Sequence, residues 1–301
     1  MHRPQLVLRE NEWTSFTSFY LEDIWRQFFE ITMFDHTSCY DLDRTLFVVS
    51  NLSLPDDPWP ADMRSRGCKV VIDNLWERCT GRSDYFWLEH EHFMWWNESL
   101  WWRALGYHDY RPNKNTTHLA FMPVRGQKPE RDQAIDFLQP WLHDMIWSYQ
   151  ARGQSLPDDD REVDHHQRYM HASWYDCTFC SLVIETYQTL PLYVSEKSYK
   201  PLAYFHPYLI LSAPGTLQFL RDLGFETFEN IFDESYDRLQ DLHARLTAIA
   251  ANLSTIDISK NYDRLTMEKL EHNHARFFDQ DLVTQQLTKH VIEPLLTYAE
   301  T

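Results

Sequence analysis

Residues 181–215 read SLVIETYQTLPLYVSEKSYKPLAYFHPYLILSAPG. An apolar run closes on Glu185, then Ser195, Glu196 and Lys197 open a helical stretch, and a second apolar run closes on Pro214 and Gly215. Short apolar runs that end in polar residues are how parallel strands deliver their last side chains to a crevice, with a helix crossing between them. The pattern predicts a strand over 179–185, a helix over 196–204, a strand over 208–212, and a helix from 216 that Gly224 stops. A Glu-Lys pair at a helix start is hard to explain by packing alone. A lysine beside a helix amino terminus suits an anion, and the carboxyl ends of parallel strands are where such sheets bind ligands.

The same alternation runs through the rest of the chain. Residues 45–50, 69–73, 85–88 and 117–122 read as strands. Residues 17–31 and 131–152 read as helices, the second with Ile135, Leu138, Leu142, Met145 and Ile146 at helical spacing. Five acids and a proline in 156–164 read as a linker. This α/β order predicts a pair of Rossmann-type domains facing a cleft, at 1–155 and 156–255, with a helical tail over 256–301 packing back on the amino-terminal half. The glycine-rich dinucleotide fingerprint is absent, which argues against a nicotinamide or flavin enzyme.

Composition narrows the ligand. The chain of 301 residues carries 12 Trp, only 7 Gly and a formal charge of −17, so its aromatic surfaces can pack a core or stack on rings, while its bulk charge repels a phosphate backbone. Positive charge is concentrated in two windows: 111–131, with five basic residues against Glu130, and 186–221, with three against Glu196. Five cysteines, no charged-then-apolar leader and no apolar run near about 20 residues predict a reduced cytoplasmic setting without a membrane span. Cys177 and Cys180 have zinc or redox spacing, but no second close pair accompanies them, so they read as buried thiols and no metal is expected. Asp41 and Asp43 echo acidic metal and nucleophile motifs, yet they precede a strand instead of following one, and read as a cap on strand entry.

At this point the residues support a resemblance. The order Glu185, Val194-Ser195-Glu196-Lys197, helix, and strand into Pro214-Gly215 resembles the donor half of α-1,3-fucosyltransferase-like enzymes, which are inverting GT-B-type glycosyltransferases. The Glu-Lys-x-x-Lys-Pro stretch at 196–201, with Pro214-Gly215-Thr216-Leu217 and Gly224-Phe225, also resembles glycosyltransferase-like proteins of tailed bacteriophages. Ser195 stands where the fucosyltransferases usually have Thr, and Lys200 is a lysine that they lack.

The resemblance implies transfer of a sugar from a nucleoside diphosphate sugar, without cofactor or metal, to a hydroxyl acceptor: a surface saccharide, or a hydroxymethylated DNA base if the chain is phage-encoded and works in a bacterial host cytoplasm. It implies donor-binding roles for Glu185, Glu196, Lys197 and Lys200, and for Arg131, with Arg125 as a second candidate, in PVRGQKPERDQAIDFL. The arginines are expected from the first half and the lysines from the second, converging on a diphosphate. An inverting displacement also needs a base on the acceptor side, and in WLEHEH at 87–92 Glu91 is the choice and Glu89 the next. Trp95, Trp96, Trp101 and Trp102 beside them are readable as a sugar platform or as core. The alternative, from a different class, is a non-catalytic carbohydrate- or partner-binding module with a vestigial donor site.

Overall fold

Two units make up the chain, residues 1–105 with 279–301 and residues 106–278. They are seen in a computed structural model that describes residues 3–8, 19–33, 40, 41, 43, 45–49, 59–72, 86, 87, 90–156, 171–189 and 192–301.

The first unit holds β1 (Gln5–Leu8), α1 (Phe19–Phe28), β2 (Glu30–Met33), β3 (Thr45–Val49), α2 (Trp59–Ser65), β4 (Lys69–Ile72), β5 (Phe86–Trp87) and α3 (His90–Ala104). Its strands form a parallel sheet in the order β2-β1-β3-β4-β5. Leu6, Val7, Leu8, Leu46, Phe47 and Val48 are all buried, the signature of strands covered on both faces. On α3 the residues Trp95, Trp96 and Trp102 are buried, so these rings build core, and Trp101 is half-buried. Asp43 donates its backbone N–H to the Asp41 carboxylate and Thr45 its hydroxyl to the Asp41 carbonyl, so the acidic pair does cap the entry to β3. Two carboxyl-terminal helices, Gln280–Leu287 and Glu293–Glu300, also belong here. Lys69 Nζ donates to the Ala299 carbonyl at 2.6 Å, and the Tyr298 ring stacks on Phe86 with centroids 5.1 Å apart.

The second unit runs β6 (His118–Val124), α4 (Pro129–Leu138), β7 (Met145–Tyr149), α5 (Ala172–Asp176), β8 (Thr178–Ile184), α6 (Glu196–Ala203), β9 (Tyr208–Leu211), α7 (Thr216–Asp222), α8 (Leu242–Thr255) and α9 (Arg264–Phe277). Its parallel sheet has the order β7-β6-β8-β9. The chain moves from β6 outward to β7 and returns to the other side of β6 as β8. That reversal is a topological switch point.

Three expectations change. Residues 131–152 are not one helix: α4 stops before Pro140, a 3-10 turn follows, and Met145–Tyr149 is a strand paired with β6. Because β6 and β7 join β8 and β9 in one sheet, the units part at 105/106 and not at 155; the acidic stretch lies within the second unit, mostly outside the described residues. The tail also divides, α9 staying with the second unit and 279–301 joining the first.

Gly224 ends α7 as expected. It sits at φ 81°, its N–H bonds the Arg221 carbonyl, and the Phe225 N–H bonds the Leu220 carbonyl, a Schellman arrangement. A Cβ there would lie 2.5 Å from the guanidinium of Arg276, which is itself held by the Leu223 carbonyl at 2.7 Å. Gly224→Ala is therefore expected to destabilise the second unit by about 2 kcal/mol, combining left-handed strain with the clash. A urea titration that leaves the midpoint unchanged would show that Arg276 moves aside and the strain is relieved.

Candidate functional site

The site forms at the carboxyl ends of β6 and β8, where the switch point opens. Ser195 caps α6: its backbone is extended and its Oγ accepts from the Lys197 N–H at 3.3 Å. Glu185, the first residue after β8, is fully buried. Its carboxylate accepts three hydrogen bonds, from Ser195 N at 2.8 Å, Ser195 Oγ at 2.6 Å and Ser198 Oγ at 2.6 Å. The end of β8 and the start of α6 are thereby pinned together through one buried carboxylate.

Glu196 and Lys197 stand beside this pin, with side chains 14% and 17% exposed, and pair at 2.8 Å. Lys197 Nζ also donates to Ser195 Oγ at 3.2 Å. Burial alone would raise the Glu196 pKa, but the charges of Lys197 and Lys200 and the Lys197 hydrogen bond outweigh it and hold the carboxyl at about 2. Lys197 and Lys200 line one small recess under α6, with Phe121, Pro123 and Val183 of the sheet and Pro201 of the helix. The arrangement offers an acceptor ionised at neutral pH, with the charges of Lys197 and Lys200 both acting on it.

Arg131 lies in the same unit as Lys197, so the expectation of cations reaching in from two halves is corrected: the pairing of β6 with β8 brings both to one sheet edge. Arg131 is only 3% exposed. Its Nε donates to the Glu185 carbonyl at 3.3 Å, Nη1 to the Gly126 carbonyl at 3.0 Å, and Nη2 to the Ile184 carbonyl at 3.4 Å and Thr186 Oγ1 at 3.1 Å. Neither Glu130 nor Asp132 is its partner in these bonds; Asp132 takes the Tyr149 hydroxyl and Arg152 instead. Arg125 is exposed, and Lys128 lies over the Tyr187 ring at 5.2 Å.

The basic window at 111–131 does not act as one face. Arg111 and Lys114 precede β6 and Arg125 follows it, and seven strand residues span about 23 Å at roughly 3.3 Å each. Lys114 donates to the Tyr175 and Thr178 carbonyls at 2.6 and 3.1 Å, and desolvation lowers its pKa to about 7 despite the charge of Asp176. An ammonium with a depressed pKa binds fewer protons folded than unfolded. Stability should therefore rise as pH climbs from about 7 toward the ordinary lysine range near 10.4. Lys114→Met should flatten that rise in urea midpoints measured at pH 7.5 and 9.5; an unchanged slope would assign it to another group.

Cys180 is buried in β8 with Sγ 3.6 Å from the Leu119 carbonyl, and burial pushes its thiol up to about 12. Cys177 donates to the Trp174 carbonyl at 3.7 Å. No group of three or more potential metal ligands occurs among the described residues. Of the proposed bases, Glu89 lies outside the described residues; Glu91 lies in the first turn of α3, but its side chain falls outside them too.

Sequence reasoning missed Ser198, Thr186 and Arg245. Arg245, buried on α8, donates from Nη2 to the Gln188 carbonyl at 2.6 Å and from Nη1 to the Leu239 carbonyl at 3.0 Å. Their partners are far away in sequence or are main-chain carbonyls, and nothing local marks either.

No protein-family model matches the sequence, and a search of curated proteins finds no match. Solved structures do match. A DNA-modifying β-glucosyltransferase, determined in the presence and absence of its substrate uridine diphosphoglucose, aligns with a TM-score of 0.50 at 7% identity, over 99% of this chain and 100% of that one. An α1,3-fucosyltransferase with GDP-fucose aligns with a TM-score of 0.45 at 11% identity, over 93% and 92%. With two parallel α/β sheets and a helical carboxyl-terminal region, this chain has the fold of the GT-B glycosyltransferases.

Proposed function

We propose that the protein is a nucleotide-sugar-dependent glycosyltransferase, inverting and metal-independent, and that the second unit binds the donor. The observation that carries this reading is the trio Glu196, Lys197 and Lys200 on α6, beside a switch point where sheets of this kind bind ligands. Ribose or sugar hydroxyls would donate to Glu196, whose carboxyl is ionised throughout the physiological range. The diphosphate would take Lys197 from its ion pair and share it with Lys200. Without a metal, these ammonium groups are the charges that stabilise the leaving group.

The reaction is one displacement. Glu91, with Glu89 as the next choice, takes the proton of an acceptor hydroxyl while the oxygen bonds to the anomeric carbon. The bond from that carbon to the diphosphate oxygen breaks, and its electron pair leaves with the nucleoside diphosphate. For the acceptor, the matched glucosyltransferase is described as DNA-modifying, which supports DNA, through a hydroxymethylated base if the chain is phage-encoded and works in a bacterial host; the charge of −17 supports a surface saccharide instead. No helix among the described residues is long and apolar enough to cross a membrane.

The test is to offer the full chain mixed nucleotide sugars with either lipopolysaccharide or hydroxymethylcytosine DNA, reading mass increments on the acceptor and the anomeric configuration by NMR. A sugar added with inverted configuration supports the proposal. Saccharide binding without nucleotide binding or transfer would replace it with a lectin-like module.

A further inference from the structure

We infer that Arg131 is a positioning residue, which sets the donor site by fixing the main chain at the switch point and does not itself grip the diphosphate; this rests on the donor-site reading above. Beyond the ends of β6 and β8, at Val124 and Ile184, no strand pairing joins the two segments among the described residues. Arg131 takes that place. It bonds Gly126 beyond β6, and Ile184, Glu185 and Thr186 at and beyond the end of β8, through all three of its nitrogens. A second buried guanidinium, that of Arg245, holds the Gln188 carbonyl at the far end of the same segment.

The segment 184–188 thus carries a cation at each end, both held mainly by main-chain carbonyls. Between them Glu185 turns its carboxylate to Ser195 and Ser198 and fixes the first turn of α6. Lys197 and Lys200, on the helix so fixed, line the recess together with Phe121, Pro123, Val183 and Pro201. A guanidinium that is 3% exposed and bonded to four protein oxygens has little left to offer a phosphate. Its planar fork is also what makes several carbonyl bonds possible at once, and a lysine cannot reproduce them.

The charge-preserving variant Arg131→Lys separates the two roles. Two readouts are compared with wild type: hydrogen exchange of the amides at 195–200, and the affinity for inorganic pyrophosphate and for UDP and GDP by titration calorimetry. A positioning role predicts that exchange at 195–200 accelerates about tenfold or more, and that pyrophosphate affinity falls by a similar factor although the charge is kept. Pyrophosphate affinity within about twofold of wild type, with exchange unchanged, would overturn the inference and leave Arg131 as a point charge near the ligand. Should Arg131→Lys fold poorly, Thr186→Val removes one acceptor of the fork; it should shift both readouts in the same direction by a smaller factor, and no shift in either would count against the inference. If the wild-type chain binds neither pyrophosphate nor nucleotide, the donor-site reading fails, while the exchange result still decides whether Arg131 orders α6.

Discussion

Lys197→Ala is expected to lower sugar transfer on the order of 10³-fold while the chain stays folded. The ammonium is one of two charges proposed to receive the diphosphate as the glycosidic bond breaks, and removing one preorganised group that meets developing charge lowers rate by about 10² to 10³. Its ion pair with Glu196 joins two mostly buried side chains, so losing it costs more than losing a surface pair, and urea unfolding run beside the assay checks that the variant is folded. Glu196 supplies a second readout. Its folded pKa of about 2 lies below the unfolded value near 4.3, so its stabilising contribution is present above about pH 4 and is lost as pH falls toward 2. Without Lys197 that acid loss should shrink. Steady-state transfer and acid unfolding of Lys197→Ala check the two together, and unchanged turnover in a folded variant would remove Lys197 from the site.

How far the chain discloses this site depends on how local each cause is. The β8, α6 and β9 segments were legible because their runs are apolar and their punctuation is local: Ser195 caps its own helix, and Gly224 ends one by its left-handed backbone. β7 was not. Met145 and Ile146 satisfy helical spacing and strand pairing equally well over so short a run, and Pro140 was the signal that decided against a continuous helix. The acidic stretch at 156–164 misled for a related reason, since polar composition marks a surface connection but not whether the strands on either side share a sheet.

The types of the site residues were legible where their roles were not. Glu196 and Lys197 are neighbours in sequence and pair in space. Arg131 was found, but its acceptors at 184–186 are 53 to 55 residues away and two of them are carbonyls, which every residue possesses. Glu185 was expected to bind the donor, and its carboxylate is held by two serine hydroxyls and a backbone N–H. Hydrogen bonds to main chain leave no mark in a sequence, and three of the four that hold Arg131 are of that kind.

Glu185→Leu is therefore expected to be the most destabilising single change at the site, by about 3 to 5 kcal/mol. The argument turns on what remains after the carboxylate is gone. Ser195 N, Ser195 Oγ and Ser198 Oγ lose their acceptor inside the protein, and the buried Arg131 loses the negative charge that most opposes its desolvation. Removing one member of a buried ionic arrangement has an effect of that size because the remaining charge is stranded. Glu185→Gln keeps the shape and one accepting oxygen but turns an NH₂ group toward a donor, so a smaller loss of about 1 to 3 kcal/mol is expected. Ser198→Ala removes one hydrogen bond and leaves two, with an expected loss of about 1 kcal/mol. Hydrogen exchange of the β8 amides reads the second unit directly, without treating the two units as one cooperative transition. The ranking Leu, then Gln, then Ser198→Ala follows from burial of the carboxylate. If Glu185→Leu proves neutral for exchange and damaging only to donor binding, Glu185 faces the ligand, and the pin between β8 and α6 must be sought elsewhere.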